Sequence, residues 1–141
     1  MFRLFSDGGS RGNPGESACS FLVFDDEENL VAFDAKYLGI QTNNYSEYIG
    51  LIEGLKFLKK QDIKQVRCFL DSELVVNQIN KVYKVSNPKI KKLFEQVEIL
   101  ILEFDEISFN HVSRDENKFA DRLVNIILDA TNRKSQPTSQ L

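Results

Sequence analysis

Four acidic residues stand where the chain is otherwise apolar or turning. Asp7 follows the apolar run "MFRLF", Glu47 enters a helical stretch, Asp71 ends "VRCFLD", and Asp121 lies in "NKFADRLV". Each has an ordinary reading by itself: a turn former, a partner for a helix dipole, a strand terminator, a residue on a solvated face. Three of them belong to apolar segments, where a carboxylate is costly to desolvate. Clustered carboxylates without cysteine or histidine partners suit hard, oxygen-preferring cations such as Mg²⁺ or Mn²⁺. Two such ions about 4 Å apart can clamp the attacking and leaving oxygens of a phosphodiester.

The elements around these acids decide whether they can meet. "FRLFS" predicts a central strand with apolar residues on both faces. "SACSFLVFD" (Ser17–Asp25) predicts a second strand, "DDEEN" a turn, and "LVAFDAKYL" (Leu30–Leu38) a third, together an antiparallel meander. From Asn44 the period becomes helical, with Tyr48, Leu51, Ile52, Leu55 and Leu58 on one face and Thr42 or Asn43 as N-cap. "VRCFLD" (Val66–Asp71) is a short buried strand, and "SELVVNQIN" begins a helix with Ser72 available as cap. Asn87-Pro88 starts another helix, whose apolar face is Ile90, Leu93, Phe94, Val97, Leu100 and Ile101. "EISFNHV" predicts a fifth strand, and "ENKFADRLVNIILDA" a last helix burying Phe119, Ala120, Leu123, Val124 and Ile127. The order is β-β-β-α-β-α-α-β-α. It predicts an α/β fold: a five-stranded mixed sheet, three strands antiparallel and two reached by right-handed parallel crossovers, with helices on both faces. Sites in such sheets form outside the strand ends.

The 141 residues suit one domain, expected at 1–134, followed by a short disordered tail, "SQPTSQL", at 135–141. Hydrophobic residues make up 42% and charged residues 28%, and no apolar run is long enough for a membrane span. Met1–Phe5 begins a strand rather than a signal peptide. Cys19 and Cys68 lie apart in apolar runs, so buried free thiols and a cytoplasmic location are expected. A net charge of -3 gives no global attraction to nucleic acid; a polyanion needs a local basic patch or bound cations.

"DGGSRGNPG", "TNNYSEY", "LDSELVVNQI" and "DENKFADRLVN" resemble the four ordered motifs of type 1 ribonuclease H, spanning Asp7 to Asn125. The predicted element order matches that family's fold. The resemblance implies an endonuclease that cuts the RNA strand of an RNA–DNA hybrid to 5′-phosphate and 3′-hydroxyl ends, with two Mg²⁺ per site and Mn²⁺ as substitute. Asp7, Glu47, Asp71 and Asp121 fall on the family's metal-binding acids. Asp7 would bridge both ions, Asp71 would share the first and Asp121 the second, and Glu47 would bind one near the 2′-hydroxyl. Thr42, Asn43 and Asn44 match a segment laid along the hybrid, and Asn13 another contact. Gly8 and Gly9, lacking Cβ, would let the backbone approach sugar and phosphate and offer its N–H groups. Gly12, Pro14 and Gly15 would shape the turn that follows.

The sequence departs from the commoner family pattern in three places. The loop before the last helix is too short for the flexible histidine segment many members carry. His111, the only histidine, falls in the fifth strand, whereas Arg114 lies in the loop, seven residues before Asp121. Arg114 is therefore expected to assist, by attracting and releasing phosphate rather than shuttling protons. Glu73 stands where the family often has a hybrid-contacting glutamine, and its charge would repel phosphate, so that role is not carried over. The basic protrusion is absent, although Lys81, Lys84, Lys89, Lys91 and Lys92 with Tyr83 leave two readings open: a grip on the DNA strand, or a solvated helix entry. Alternatives are an inactive binding domain on the same fold, another nuclease or integrase-like enzyme of the superfamily, and a domain of a reverse transcriptase. The expected partner is an RNA–DNA hybrid met by a monomer, with no protein or membrane partner.

Overall fold

The structure, a computed structural model, describes residues 1–134. The tail expected at 135–141 lies outside the described residues. Strands β1 (Phe2–Gly12), β2 (Gly15–Phe24) and β3 (Leu30–Gln41) are followed by helix α1 (Asn43–Lys60) and strand β4 (Gln65–Leu70). Helices α2 (Glu73–Ile79) and α3 (Pro88–Ile101), strand β5 (Glu106–His111), a 3-10 turn (Asp115–Asn117) and helix α4 (Lys118–Lys134) complete the order. The sheet runs β3-β2-β1-β4-β5, with β1–β2 and β2–β3 antiparallel and β1–β4 and β4–β5 parallel. This is the mixed sheet the sequence predicts.

Strand alternation separates the two helical layers. Phe21 and Val23 of β2 join Leu4, Val66, Cys68 and the buried faces of α1, α2 and α3 in the main core. Ala18, on the opposite face of β2, packs against Val124 and Leu128 of α4. The α1 face is Tyr48, Leu51, Ile52, Leu55 and Leu58, all buried, and the Tyr48 hydroxyl donates to Gln78 Oε1 at 2.8 Å. Thr42, Ser72 and Asn87 cap α1, α2 and α3 through their side-chain oxygens. Both cysteines are buried and free. No described helix is long and apolar enough to cross a membrane.

The sequence misplaced two features. The glycine-rich stretch is mostly strand: β1 runs on from Ser6 to Gly12, pairs with β2 up to Gly12–Gly15, and leaves only Asn13 and Pro14 to turn. Likewise β2 begins before Ser17 and β3 continues past Leu38, because cross-strand pairing extends residues of low strand propensity. In α4, Phe119 is 59% exposed and Leu123 and Ile127 are only half-buried. The inward stripe is Asn117, Ala120, Val124 and Leu128. A buried asparagine heads it where apolar periodicity had suggested Phe119.

Candidate active site

Parallel pairing aligns Ser6 with Leu70, so Asp7 in β1 and Asp71, just past β4, project from neighbouring strands. Glu47 arrives from α1, and Gly8 is what admits it. A Cβ on Gly8 would fall less than 3.0 Å from the Ser46 carbonyl carbon and the Glu47 nitrogen. Gly50, one turn on, lies as close to β1, where a Cβ would meet the Asp7 carbonyl oxygen at 2.5 Å. The space beside Gly9 faces Val124 Cγ1 at 3.2 Å. The missing side chain of Gly8 thus makes room for helix α1.

One carboxylate oxygen from each of Asp7, Glu47 and Asp71 lies within 4.8 Å of the other two. Asp121 stands outside this trio but lines the same cleft, along with Gly8, Gly9, Arg11, Asn43 and Arg114. Asp7 and Glu47 are each only 4% exposed. Burial, then the Asp71 charge, pushes the Asp7 carboxyl up to about 7. Burial, then the charges of Asp7 and Asp71, holds Glu47 well above the usual carboxylate range. Asp71 is raised less, because an Asn117 hydrogen bond and the Arg114 charge oppose its burial. Among the described residues, no lysine or arginine forms an ion pair with the trio, and Glu47 Oε2 is buried without a hydrogen-bond partner. An all-oxygen, anion-rich set with an orphaned acceptor fits divalent cations of the Mg²⁺ or Mn²⁺ class. The cleft, about 180 Å³, is below the roughly 300 Å³ at which organic-ligand pockets begin. It suits ions and a phosphate rather than an organic cofactor.

These shifts give a pH dependence. An acid raised in the folded state keeps its proton after the unfolded chain has released it, so stability is lost as pH rises from the unfolded to the folded value. For Asp7 that window runs from 3.8 to about 7. In EDTA, the melting temperature should fall as pH is raised through this window. Saturating Mg²⁺ should reverse the fall at its upper end, because cations bind the ionised cluster of the folded state. Scanning calorimetry at several pH values, with and without Mg²⁺, checks both; a flat metal-free profile contradicts the account.

The expected substrate-contact residues form a latch beside the acids. Asn43 N donates to Asn13 Oδ1 at 3.0 Å, and Asn43 Oδ1 accepts from Ser10 N at 3.1 Å. Both side-chain oxygens are thereby occupied, which turns the amide NH₂ groups towards other acceptors. Thr42 Oγ1 accepts from Tyr45 N at 3.2 Å, and Asn44 Oδ1 is buried without a partner. Arg114 is exposed at the cleft wall; His111, also exposed, ends β5 outside it. Exposed at the strand end, His111 has no packing role to lose. Glu73 is exposed in the first turn of α2, away from the cleft.

Sequence reasoning missed Arg11 and Asn117. Arg11 donates to Asp129 Oδ1 at 2.7 Å and to Asn125 Oδ1 at 3.3 Å, pinning the β1–β2 hairpin to α4. Neither residue carries a local signal, since the partners of their side chains lie more than 40 residues away.

A family model described as reverse transcriptase-like matches residues 5–126. The solved N-terminal RNase H domain of Rv2228c from Mycobacterium tuberculosis superposes with a TM-score of 0.91 at 35% identity, over 96% of this chain and 98% of that one. LC11-RNase H1, isolated from compost and solved in complex with an RNA/DNA hybrid, gives a TM-score of 0.88 at 34% identity, over 93% and 99%. This chain belongs to the type 1 ribonuclease H family. Ribonuclease HI of Halobacterium salinarum is 32% identical over 125 residues, 89% of this chain and 63% of that protein. Full-length Rv2228c, described as a bifunctional protein, is 39% identical over 126 residues, 89% of this chain. The chain spans only about a third of that relative's length, 35%.

Proposed function

We propose that this chain hydrolyses the RNA strand of RNA–DNA hybrids, leaving 5′-phosphate and 3′-hydroxyl ends, with two Mg²⁺ ions or Mn²⁺ in their place. The observation that carries this reading is the carboxylate trio, two of its members buried and none in an ion pair among the described residues, beside the Asn13–Asn43 latch. Asp7, Glu47 and Asp71 would hold the cations, with Asp121 completing the set from α4. Bound there, the cations supply Lewis-acid neutralisation of charge developing on the phosphodiester oxygens. Asn13 and Asn43 offer amide donors, and Thr42 and Asn44 shape the segment that faces the hybrid. Gly8 and Gly9 line the cleft with backbone, which reads sugar and phosphate rather than base identity.

The DNA strand would lie over the basic segment after α2. There Lys89 is drawn aside, its Nζ 4.6 Å from the Tyr45 ring and 3.1 Å from Gln41 Oε1, and Lys81 pairs with Glu98 at 3.6 Å. Lys84 and Lys91, with Tyr83, line a groove of about 470 Å³. This reading takes the chain as a monomer acting in a reducing cytoplasm, where its buried thiols stay free. It is tested with a duplex carrying a single ribonucleotide beside one carrying a run of four. If the latch and glycine backbone read several consecutive 2′-hydroxyls, the single ribonucleotide is the poor substrate. Equal cleavage of the two contradicts the reading.

Arg114 separates this reading from one in which histidine assists. Arg114→Ala should lower single-turnover cleavage at saturating Mg²⁺ by about 10- to 100-fold, or about 1.4 to 2.7 kcal/mol in the barrier. Arg114→Lys should recover only part of it, keeping the charge but losing the planar fork. His111→Ala should change the rate by less than about 2-fold and stability by less than about 0.5 kcal/mol, as for other exposed side chains. A large defect in His111→Ala, with Arg114→Ala near normal, would reverse the assignment.

A further inference from the structure

Asn117 is only 1% exposed, although it is polar and stands in the short 3-10 turn ahead of α4. Its Nδ2 donates to the Ser6 carbonyl oxygen at 2.8 Å and to Asp71 Oδ2 at 3.3 Å. Its backbone N–H donates to the carbonyl oxygens of Ser113 and Arg114, at 3.2 and 3.1 Å. Its Oδ1 is buried with no partner. A buried acceptor left unpaired costs stability, and an apolar residue of the same size would avoid that cost, so packing alone does not account for an asparagine here. The side chain's connections do. Ser6 precedes Asp7 in β1, Asp71 follows β4, and Asp121 lies four residues on, in the first turn of α4. One amide thus ties together the three segments that carry Asp7, Asp71 and Asp121.

We propose that Asn117 is a positioning residue for the acidic cluster. It engages Asp71 Oδ2 and leaves the other oxygen for a cation, while fixing the head of α4 so that Asp121 faces the same space. The donor is neutral for a reason. A lysine or arginine at this place would pair with Asp71 and compete with the cation for its charge, whereas an amide orients the carboxylate without neutralising it. The inference rests on the reading of the cluster as a divalent-cation site.

The test measures Mn²⁺ binding by calorimetry and by the Mn²⁺-induced rise in melting temperature, on the whole chain, for wild type, Asn117→Ala and Asn117→Leu. The leucine variant fills the space while removing the donor. Loss of an outer partner of a metal ligand typically weakens binding about 10- to 100-fold. That loss is expected in both variants, while hybrid binding in EDTA stays within about 2-fold of wild type, the mark of a positioning role rather than a collapsed fold. A folded Asn117→Leu protein that binds Mn²⁺ as tightly as wild type overturns the proposal. A wild-type protein that binds no Mn²⁺ overturns instead the reading beneath it. A second measurement needs no variant. In the ¹⁵N-labelled wild-type protein, the Asn117 side-chain NH₂ resonances should shift as Mg²⁺ is added, in step with the backbone amide of Asp71. If the Asp71 signal moves and the Asn117 NH₂ does not, the proposal fails even where both variants are unstable.

Discussion

Asp7→Asn and Asp71→Asn should each lower hybrid cleavage by about 1,000-fold or more, upwards of about 4 kcal/mol in the barrier, while leaving hybrid binding in EDTA largely intact. Asp7→Asn should also melt higher than wild type in EDTA at neutral pH. The cause is the same in both cases. Asp7 is a buried carboxylate crowded by Glu47 and Asp71, and holding its charge there without a cation works against folding. A rise from 3.8 to about 7 corresponds to at most about 4 kcal/mol of destabilisation once Asp7 is ionised. The asparagine recovers part of that, and a gain of about 1–2 kcal/mol raises the melting temperature by about 3–8 °C in a chain of this size. Adding Mg²⁺ should stabilise the wild type and narrow or invert the gap. A variant that cuts at the wild-type rate and melts where the wild type does would remove Asp7 from the site.

Gly8→Ala should be among the most damaging single methyl groups in the protein. Its Cβ would enter backbone atoms of α1 at Ser46 and Glu47, which no rotamer change relieves. Either α1 lifts from β1, carrying Glu47 out of the cluster, or the chain does not fold; the expected loss is about 3 kcal/mol or more. Gly9→Ala is the control. Its Cβ would meet only the Val124 side chain, at 3.2 Å, which can shift by a few tenths of an ångström. It should cost about 1 kcal/mol or less. Urea denaturation of both variants checks the contrast, and equal stabilities would mean that Gly8 serves the substrate rather than the helix.

The four acids were legible because each sits where local pattern changes, and a carboxylate at such a place stands out against apolar neighbours. The α1 face was legible for a related reason: Tyr48, Leu51, Ile52, Leu55 and Leu58 repeat at helical spacing and all are buried. What stayed hidden depends on distant partners. Asn117 looked like an ordinary polar residue at the start of the last helix because its carbonyl partner, Ser6, is 111 residues away. Phe119 looked like core because hydrophobicity was read without knowing that Asn117 had taken the head of the buried stripe. Gly8 and Gly9 were seen as special, but the sequence offered only the substrate as a reason. That Gly8 also receives a helix follows from how α1 crosses β1, which no local signal records. The β1 boundary was short for a similar reason, since the glycines are held extended by pairing with β2.

The most direct test of the central claim is one cleavage assay on four end-labelled substrates: an RNA–DNA hybrid, double-stranded RNA, single-stranded RNA and a DNA duplex, each with Mg²⁺, Mn²⁺ or EDTA. The account predicts cleavage of the RNA strand of the hybrid with either cation, an intact DNA duplex throughout, and no cleavage in EDTA. Hybrid cleavage that persists in EDTA, or efficient cutting of the DNA duplex, would contradict it.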